Sequence, residues 1–331
     1  MSPAVSVVMA VYNGSEHVAR AINSVLGQTI VDYELLIVDD GSTDDSSAAI
    51  AAALEARTAA ERQRIRLLRH ERNRGYDGVT ETAVAAATGD WVFFVDSDDT
   101  IEPQTLEALL DSALTSDSQV VIPQQRTVDE DTGRTGLLRQ WAPPSGVSTG
   151  TETVRRFARG ELVSSQHALI RRNLFEDLQI ASANTFSDVL VMTQAYCRSK
   201  RISYLTEPLY NYSIRSNSIT GSLRDTIWDL PVAVTQLYPY VDAQVEPREA
   251  AELRRRLRHG ALWQMANKAA AEPRVTPLGR EVTRWVRQHV LWRNLLWFAV
   301  RRKPMVLVVL GLVKLSPGLH RRLYRSYKAR G

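Results

Sequence analysis

The sequence predicts an α/β fold in which a mostly parallel, Rossmann-like sheet carries helices on both faces and is followed by a helical C-terminal region. Apolar runs of strand length alternate with helical patterns over the first 122 residues, acidic residues directly follow two of these runs, and helical patterns dominate from Ile227 onward. Strands that alternate with helices are typical of parallel sheets, because each crossover between parallel strands must span the length of the sheet.

Five apolar runs, several of them rich in Val and Ile, predict the strands. They span residues 5–11, 34–38, 65–68, 91–95 and 119–122. Apolar residues at helical spacing predict a helix after the first strand, with Ser15 as its N-cap. These residues are Val18, Ala21, Ile22, Val25 and Leu26. The same spacing recurs after Thr100. It is formed by Leu106, Leu109, Leu110 and Ala113.

Length and composition indicate an ordinary globular protein. With 331 residues, of which 44% are hydrophobic, the chain can form one large domain or one domain with an appendage. The single cysteine, Cys197, excludes an internal disulfide and suits a reducing compartment. Because residues 5–9 already have the pattern of a strand rather than of a signal peptide, we expect a cytoplasmic protein.

The charge of the chain is unevenly distributed. Residues 282–331 contain nine Arg and three Lys but no acidic residue, whereas the rest of the chain is mildly acidic. Such a basic tail suits an anionic membrane surface, a polyanionic substrate or nucleic acid. No nucleic-acid-binding motif accompanies the charge, so nucleic acid is not an expected partner.

The basic tail is also rich in tryptophan, with Trp285, Trp292 and Trp297 beside several Arg residues. Its apolar run, residues 305–313, is about half the length that spans a bilayer. Trp-rich apolar faces next to basic residues are typical of segments that lie in the membrane interface, so we expect peripheral association with the inner face of the cell membrane. The alternative is a pair of helices packed on the body of the protein, with solvated Arg side chains.

Three carboxylates follow the fourth apolar run directly. Asp96, Asp98 and Asp99 come immediately after a predicted buried strand. Ligands of open α/β sheets bind beyond the carboxyl ends of the strands, and like charges at such a point repel each other unless a cation or water compensates them. A hard divalent ion, Mg²⁺ or Mn²⁺, that also bridges phosphate oxygens would suit this position. The alternative is a polar turn that caps a helix at Ile101.

The first two strands end in polar residues as well. The second strand delivers Asp39 and Asp40 to the same edge of the sheet, and the first delivers Tyr12 and Asn13. An ordinary turn between strand and helix would explain Gly41 but would explain two acids less well. We therefore expect three strand ends to converge on one cleft, with groups suited to a base, a ribose and a metal-bound diphosphate.

The order and spacing of these segments resemble those of family 2 inverting glycosyltransferases. The similar segments are residues 5–13, 28–29, 38–44, 73–75, 87–90 and 94–99. The resemblance implies the GT-A fold, in which Tyr12 and Asp40 would contact the nucleotide. Asp96 and Asp98 would form the metal-holding DxD pair, with Asp99 as a possible direct ligand. Further nucleotide-sugar contacts are expected from neighbouring residues. These are Val11, Asn13, Asn73, Gly75 and Ser97.

A similar resemblance continues downstream. Residues 187–188 resemble the family's Glu-Asp element, which implies that Asp188 is the base that takes the proton of an acceptor hydroxyl. The alternative is that Asp188 caps a helix. In the next similar element, Arg215 and Ser218 would reach the diphosphate or close over the donor. The six histidines lack metal-ligand spacing, and we interpret His167 as structural.

These observations predict three regions. Residues 1–122 form the nucleotide-sugar-binding half of a GT-A domain, residues 123–225 form its acceptor-binding half, and residues 226–331 form a helical region with the basic tail. The predicted reaction is inverting transfer of a sugar from a nucleoside-diphosphate donor, UDP-linked, with Mn²⁺ or Mg²⁺ as the cofactor. The acceptor would be a hydroxyl of a cell-surface glycan, a lipid-linked saccharide or an anionic wall polymer precursor.

Two other functions are compatible with such a sheet. A sugar-phosphate nucleotidyltransferase would normally have a Gly-rich, basic phosphate loop after the first strand, and residues 12–15 do not form one. A non-catalytic module that binds sugar nucleotides or membranes would keep the fold without the chemistry.

Overall fold

A computed structural model describes residues 3–138, 146–162, 167–178, 186–215, 223–293, 295–296 and 304–328. Within these residues, ten strands form one mixed sheet. The strands are β1 (Val5–Val11), β2 (Tyr33–Asp39), β3 (Ile65–Arg69), β4 (Trp91–Asp96), β5 (Thr100–Ile101), β6 (Val120–Asp129), β7 (Thr135–Leu137), β8 (Val147–Ser148), β9 (Leu169–Arg171) and β10 (Ile202–Ile214). All five predicted strands are present, although β6 extends seven residues beyond the predicted end at 122.

Helices cover both faces of the sheet. They are α1 (Val18–Leu26), α2 (Ser46–Glu55), α3 (Ala59–Gln63), α4 (Gly75–Ala86), α5 (Thr105–Ser116), α6 (Gly150–Ala158), α7 (Ser187–Arg198), α8 (Asp229–Gln236), α9 (Tyr238–Asp242), α10 (Pro247–Ala271), α11 (Pro277–His289), α12 (Pro304–Leu315) and α13 (Pro317–Lys328). The predicted α/β class with a helical C-terminal region is confirmed.

The main path of the sheet runs in the order β3-β2-β1-β4-β9-β6-β10-β5. Strands β1 to β4 are mutually parallel, and β6 is parallel to β10. The short strand β9 lies between these two groups and is antiparallel to both of its neighbours, β4 and β6. The two predicted halves therefore share one continuous sheet.

The side chains of β1 alternate between two cores, as the period of two in a strand requires. Val7 and Met9 pack into a core that includes Ile22 of α1 and Leu106 of α5. Val8 packs into the other core, which extends to α4, α7 and the C-terminal helices. Because both faces are covered, β1 and β2 are buried along nearly their whole length, which explains their continuous apolar sequence.

Two local predictions about helix starts are wrong. Helix α1 begins at Val18, its N-cap residue His17 makes no capping hydrogen bond, and the Ser15 N–H instead donates to Asp44 Oδ2 (3.2 Å). The helix that the alternative interpretation places at Ile101 begins at Thr105, because Thr100–Ile101 forms β5 and pairs with β10. A partner strand about 110 residues away decides this conformation, and no local pattern can indicate it.

The C-terminal helices pack on the body of the protein around the long helix α10. Leu310 and Val313 of α12 are buried in the core, and His320 of α13 lies 3.1 Å from the amide oxygen of Asn267 in α10. Among the helices the structure describes, none combines the length and apolar character needed to cross a bilayer. Contact of this region with a membrane surface stays a prediction.

Candidate active site

The three predicted strand ends lie side by side at the carboxyl edge of the sheet. In the parallel register, Val11 of β1 is opposite Asp39 of β2, and Ala10 is opposite Asp96 of β4. The Asp40 N–H donates to the Val11 carbonyl oxygen (2.8 Å), so this pairing continues one residue past the strand. Val11 itself is buried, and the expected convergence of the acids on one edge is present.

Hydrogen bonds join the end of β1 to the turn after β2. Asn13 adopts the left-handed backbone conformation, with φ of 52°. Its Oδ1 accepts from the Thr43 N–H (2.8 Å), and its own N–H donates to Ser42 Oγ (3.1 Å). Gly41 has φ of 69°, and a Cβ there would lie 2.6 Å from the carbonyl carbon of Arg72. The result is a fixed rim from which the Tyr12 ring projects with 49% of its surface exposed.

Asp40 organises the loop before α4. Its Oδ1 accepts from the Arg74 N–H (2.8 Å) and lies 2.6 Å from His70 Nδ1, while its Oδ2 accepts from the Gly75 N–H (2.9 Å). Gly75 is left-handed, with φ of 71°, and its N–H also donates to Asn73 Oδ1 (3.0 Å). This buried carboxylate brings Asn73 and Gly75 to the strand ends, and direct contact of Asp40 with a nucleotide stays a prediction.

Asp96 and Asp99 lie in a polar cluster with two residues that sequence analysis did not assign to the site. The Nε2 of His167 lies 3.2 Å from Asp96 Oδ2, and its ring stacks on Tyr210 with 3.8 Å between centroids. The Tyr210 hydroxyl donates to Asp99 Oδ2 (2.8 Å) and accepts from the Asp96 N–H (3.1 Å). Asp99 Oδ1 accepts from the Ser213 N–H (2.7 Å), so Asp99 links the end of β4 to β10.

The carboxylates at the end of β4 repel one another. Burial and then the negative charges of Asp96 and Asp98 raise the pKa of Asp99 well above its ordinary value. Burial and the charge of Asp96 also raise the pKa of Asp98, and the Arg215 guanidinium opposes this rise. Like charges held together in a buried place favour the binding of a cation.

The cluster brings together three donor atoms of the kinds that bind metal ions. One oxygen each of Asp96 and Asp99 and one ring nitrogen of His167 lie within 4.8 Å of one another. Carboxylates are the ligands that Mg²⁺ and Mn²⁺ prefer, and Asp98 follows two residues after Asp96. The residues present therefore fit the divalent ion that the sequence predicts.

Asp98 and Arg215, which were predicted to bind the metal and the diphosphate, form an ion pair with each other. Arg215 also lies 3.3 Å from Glu130 Oε2, and Glu130 pairs with Arg20 as well. The Arg20 guanidinium donates to the Asp98 carbonyl oxygen (3.0 Å). Arg20 and Glu130 thus support the end of β4, although no motif in the sequence marks them. Ser218 lies outside the described residues.

Asp188 lies in the first turn of α7, within electrostatic reach of Asp96. Burial raises its pKa to about 6, a hydrogen bond with the Val189 backbone opposes this rise, and the charge of Asp96 adds to it. The charges of Asp96 and Asp188 also act together with burial to raise the pKa of Tyr76. Tyr76, which directly follows the predicted Gly75, therefore shares an environment with both carboxylates. A carboxyl group with a pKa near neutrality suits proton transfer at physiological pH.

If Asp188 is the base that the resemblance implies, its pKa predicts how the activity depends on pH. A base must be ionised to accept a proton, so activity should be full above the pKa and should fall as the pH drops below it. We expect kcat/KM to decline about tenfold per pH unit below about pH 6. Initial rates measured across that value at constant ionic strength test this. A constant rate through the region would exclude Asp188 as the titrating group.

Comparisons with known proteins agree with this arrangement. Residues 6–179 match the family described as glycosyl transferase family 2. The chain is 26% identical over 236 residues to Glycosyltransferase GlyG of Streptococcus pneumoniae serotype 4, covering 69% of this chain and 76% of that protein. It is 28% identical over 246 residues to Succinoglycan biosynthesis protein ExoO of Rhizobium meliloti, covering 71% of this chain and 68% of that protein.

The fold also matches solved structures. The crystal structure of S. aureus TarS 1-349 in complex with UDP-GlcNAc superposes with a TM-score of 0.65 at 20% sequence identity, covering 99% of this chain and 92% of that chain. At this level of identity the match shows a shared fold. The matched region includes the C-terminal helices.

Proposed function

Because the chain belongs to glycosyl transferase family 2 and is a glycosyltransferase, we propose that it transfers a sugar from a UDP-linked donor to an acceptor hydroxyl with inversion at the anomeric carbon. The observation that carries this proposal is the proximity of Asp188 to the acidic end of β4, beside the rim formed by β1 and β2. Such a displacement needs a base to take the proton of the acceptor hydroxyl and a site that holds the departing diphosphate.

The choice of a UDP-linked donor rests on two observations. Tyr12 is exposed at the end of β1, next to the fixed rim, where its ring is available to stack on a base. The solved TarS structure of the same fold contains UDP-GlcNAc. We propose that this chain takes a UDP-linked hexose or N-acetylhexosamine in the same place.

Asp188 is the proposed base. As the acceptor oxygen forms its bond to the anomeric carbon, the bond from that carbon to the diphosphate breaks and the hydroxyl proton passes to the Asp188 carboxylate. A single displacement of this kind inverts the anomeric configuration and needs only one carboxylate in the role of base. Burial of Asp188 makes its carboxylate more basic than an exposed one.

The end of β4 is the proposed site for the diphosphate. Asp96 and Asp98 would hold Mn²⁺ or Mg²⁺, with Asp99 and His167 beside them. A bound divalent ion would offset the charge of the departing diphosphate. The ion pair with Arg215 engages Asp98 Oδ2, so a metal ion would contact Asp98 Oδ1 or displace the Arg215 guanidinium. Arg215 would then be available to a phosphate oxygen, which is the role that the resemblance implies.

The proposed class of acceptor rests on the name of one relative. ExoO is named for succinoglycan biosynthesis, which supports a growing polysaccharide or its lipid-linked precursor as the acceptor class of this chain. The acceptor would enter from the side of α7, where Asp188 lies.

A donor panel tests the proposed reaction. Purified protein with Mn²⁺ and a series of nucleotide sugars should release free UDP from one UDP-sugar, faster when oligosaccharide is added. A sugar-phosphate nucleotidyltransferase would require a sugar phosphate and release pyrophosphate, and a non-catalytic module would release neither product. Either of these results would contradict the proposal.

A further inference from the structure

Helix α13 exposes an apolar stripe. Leu319, Leu323 and Tyr327 are spaced four residues apart, so they lie on one face of the helix, and they are 45%, 50% and 76% exposed. The side chains that face the body of the protein include polar ones. His320, at one edge of the stripe, is buried against Asn267, and Arg321, opposite the stripe, donates to the carbonyl oxygens of Ala269 and Glu272 at the end of α10. A helix in water ordinarily has the reverse arrangement, with its apolar face inward.

Arginines lie beside and behind the stripe. Arg322 is exposed on its flank, whereas Arg325, which is also exposed, lies with Arg321 on the far side of the helix and donates to the Pro273 carbonyl oxygen (3.0 Å). The three arginines line a shallow hollow of about 460 Å³. The whole segment 282–331 contains twelve basic residues and no acid. A merely solvated helix has no reason to exclude every acidic residue, so the composition indicates an anionic partner.

The exposed apolar surface continues beyond α13. Seven of the sixteen large apolar side chains that are exposed among the described residues lie between positions 292 and 327. Besides the stripe they are Trp292, Leu296, Val308 and Leu315. This concentration in about a tenth of the chain exceeds what scattered surface residues produce, and it marks the region as an interaction surface.

We propose that the exposed face of α13, defined by Leu319, Leu323 and Tyr327 with Arg322 on its flank, docks on an anionic phospholipid bilayer. The apolar side chains would enter the boundary between headgroups and acyl chains, and Arg322 would contact lipid phosphates. A polyanionic glycan or nucleic acid would explain the arginines but not the apolar stripe. Such docking would hold the active site next to a membrane-bound acceptor, but the binding itself does not depend on the proposed sugar transfer.

Sedimentation with lipid vesicles tests this surface without any sugar donor. The full chain should bind vesicles made of equal parts phosphatidylcholine and phosphatidylglycerol, should bind phosphatidylcholine vesicles much more weakly, and should be released by high salt. Combining Leu319→Ser with Leu323→Ser should weaken binding on the order of tenfold for each leucine removed. Arg322→Gln, at a residue that is exposed, should weaken it about fivefold.

A matched control separates insertion of the stripe from a general loss of hydrophobicity. Val31 and Leu114 are 71% and 68% exposed on the body of the protein, and Val31→Ser combined with Leu114→Ser should leave vesicle binding unchanged. All variants should keep the parent's unfolding temperature and donor turnover in solution, so failure of the membrane proposal and failure of the proposed reaction are distinguishable. Unchanged binding by the leucine variant, or equal binding to both kinds of vesicle, would overturn the proposal. So would binding to a soluble polyanion that depends on Arg322 alone.

Discussion

Asp188→Asn should lower the rate of sugar transfer by about 10²–10⁴-fold while leaving the affinity for the donor unchanged. The asparagine side chain has nearly the same shape but cannot accept the acceptor's proton at neutral pH. Because the charge of Asp96 already disfavours ionisation of Asp188, removing the carboxylate relieves repulsion and should not destabilise the fold. Transfer rates and donor affinity by calorimetry, measured on the same preparation, provide the test.

The same variant separates the base from the helix-cap interpretation. Asparagine caps helices about as well as aspartate does, so a purely structural Asp188 predicts almost no effect of the substitution. Phe186 is the N-cap residue of α7 and Asp188 lies in the first turn, so Asp188→Ser, which also removes the carboxylate, should be as inactive as Asp188→Asn. Normal transfer by either variant would remove Asp188 from the mechanism and would leave the nucleotide site unaffected.

Asp96→Asn should abolish metal-dependent donor binding and lower kcat/KM by about 10³-fold, since a metal ion contributes several kcal/mol of charge stabilisation at the leaving group. Asp96 is central to the acidic cluster, because its charge raises the pKa values of Asp98, Asp99 and Asp188. Replacing it relieves that repulsion, so the unfolding temperature should stay the same or rise. An inactive protein of undiminished stability is the expected signature of a metal ligand.

Asp90→Asn is the matched control for this substitution. Asp90 immediately precedes β4, at the opposite end of the strand that delivers Asp96, and its side chain is 73% exposed. The control should retain the parent's Mn²⁺ dependence and donor affinity. If Asp96→Asn bound the donor and responded to Mn²⁺ as the parent does, the assignment of the metal to the end of β4 would be wrong.

Much of the nucleotide side of the site follows from local sequence. The apolar runs that become β1, β2 and β4 are continuous because both of their faces are buried, and the acids directly after them must share an edge because the strands are parallel. The positions of Asp40 and Asp96 were predictable for this reason. The turns at Asn13 and Gly41 were also predictable from residue type, because Asn and Gly favour the left-handed backbone conformation that each adopts here.

The remaining site residues depend on contacts between distant parts of the chain. Asp99 bonds to Tyr210 and Ser213, more than 110 positions away, and β5 exists because it pairs with β10. His167 reaches Asp96 through the antiparallel insertion of β9 between β4 and β6, which no periodicity indicates. Glu130 is likewise an unremarkable acid in the sequence until Arg20 and Arg215 converge on it.

The central claim is that the acidic end of β4 and the rim of β1 and β2 form one site for a metal-bound nucleoside diphosphate. A crystal structure of the protein grown with Mn²⁺ and UDP tests it most directly, because manganese is located by its anomalous signal. We predict one manganese peak in contact with Asp96 or Asp98, the diphosphate on that ion, and the uracil beside Tyr12. A peak distant from Asp96, Asp98 and Asp99, or a nucleotide bound elsewhere on the protein, would contradict the account.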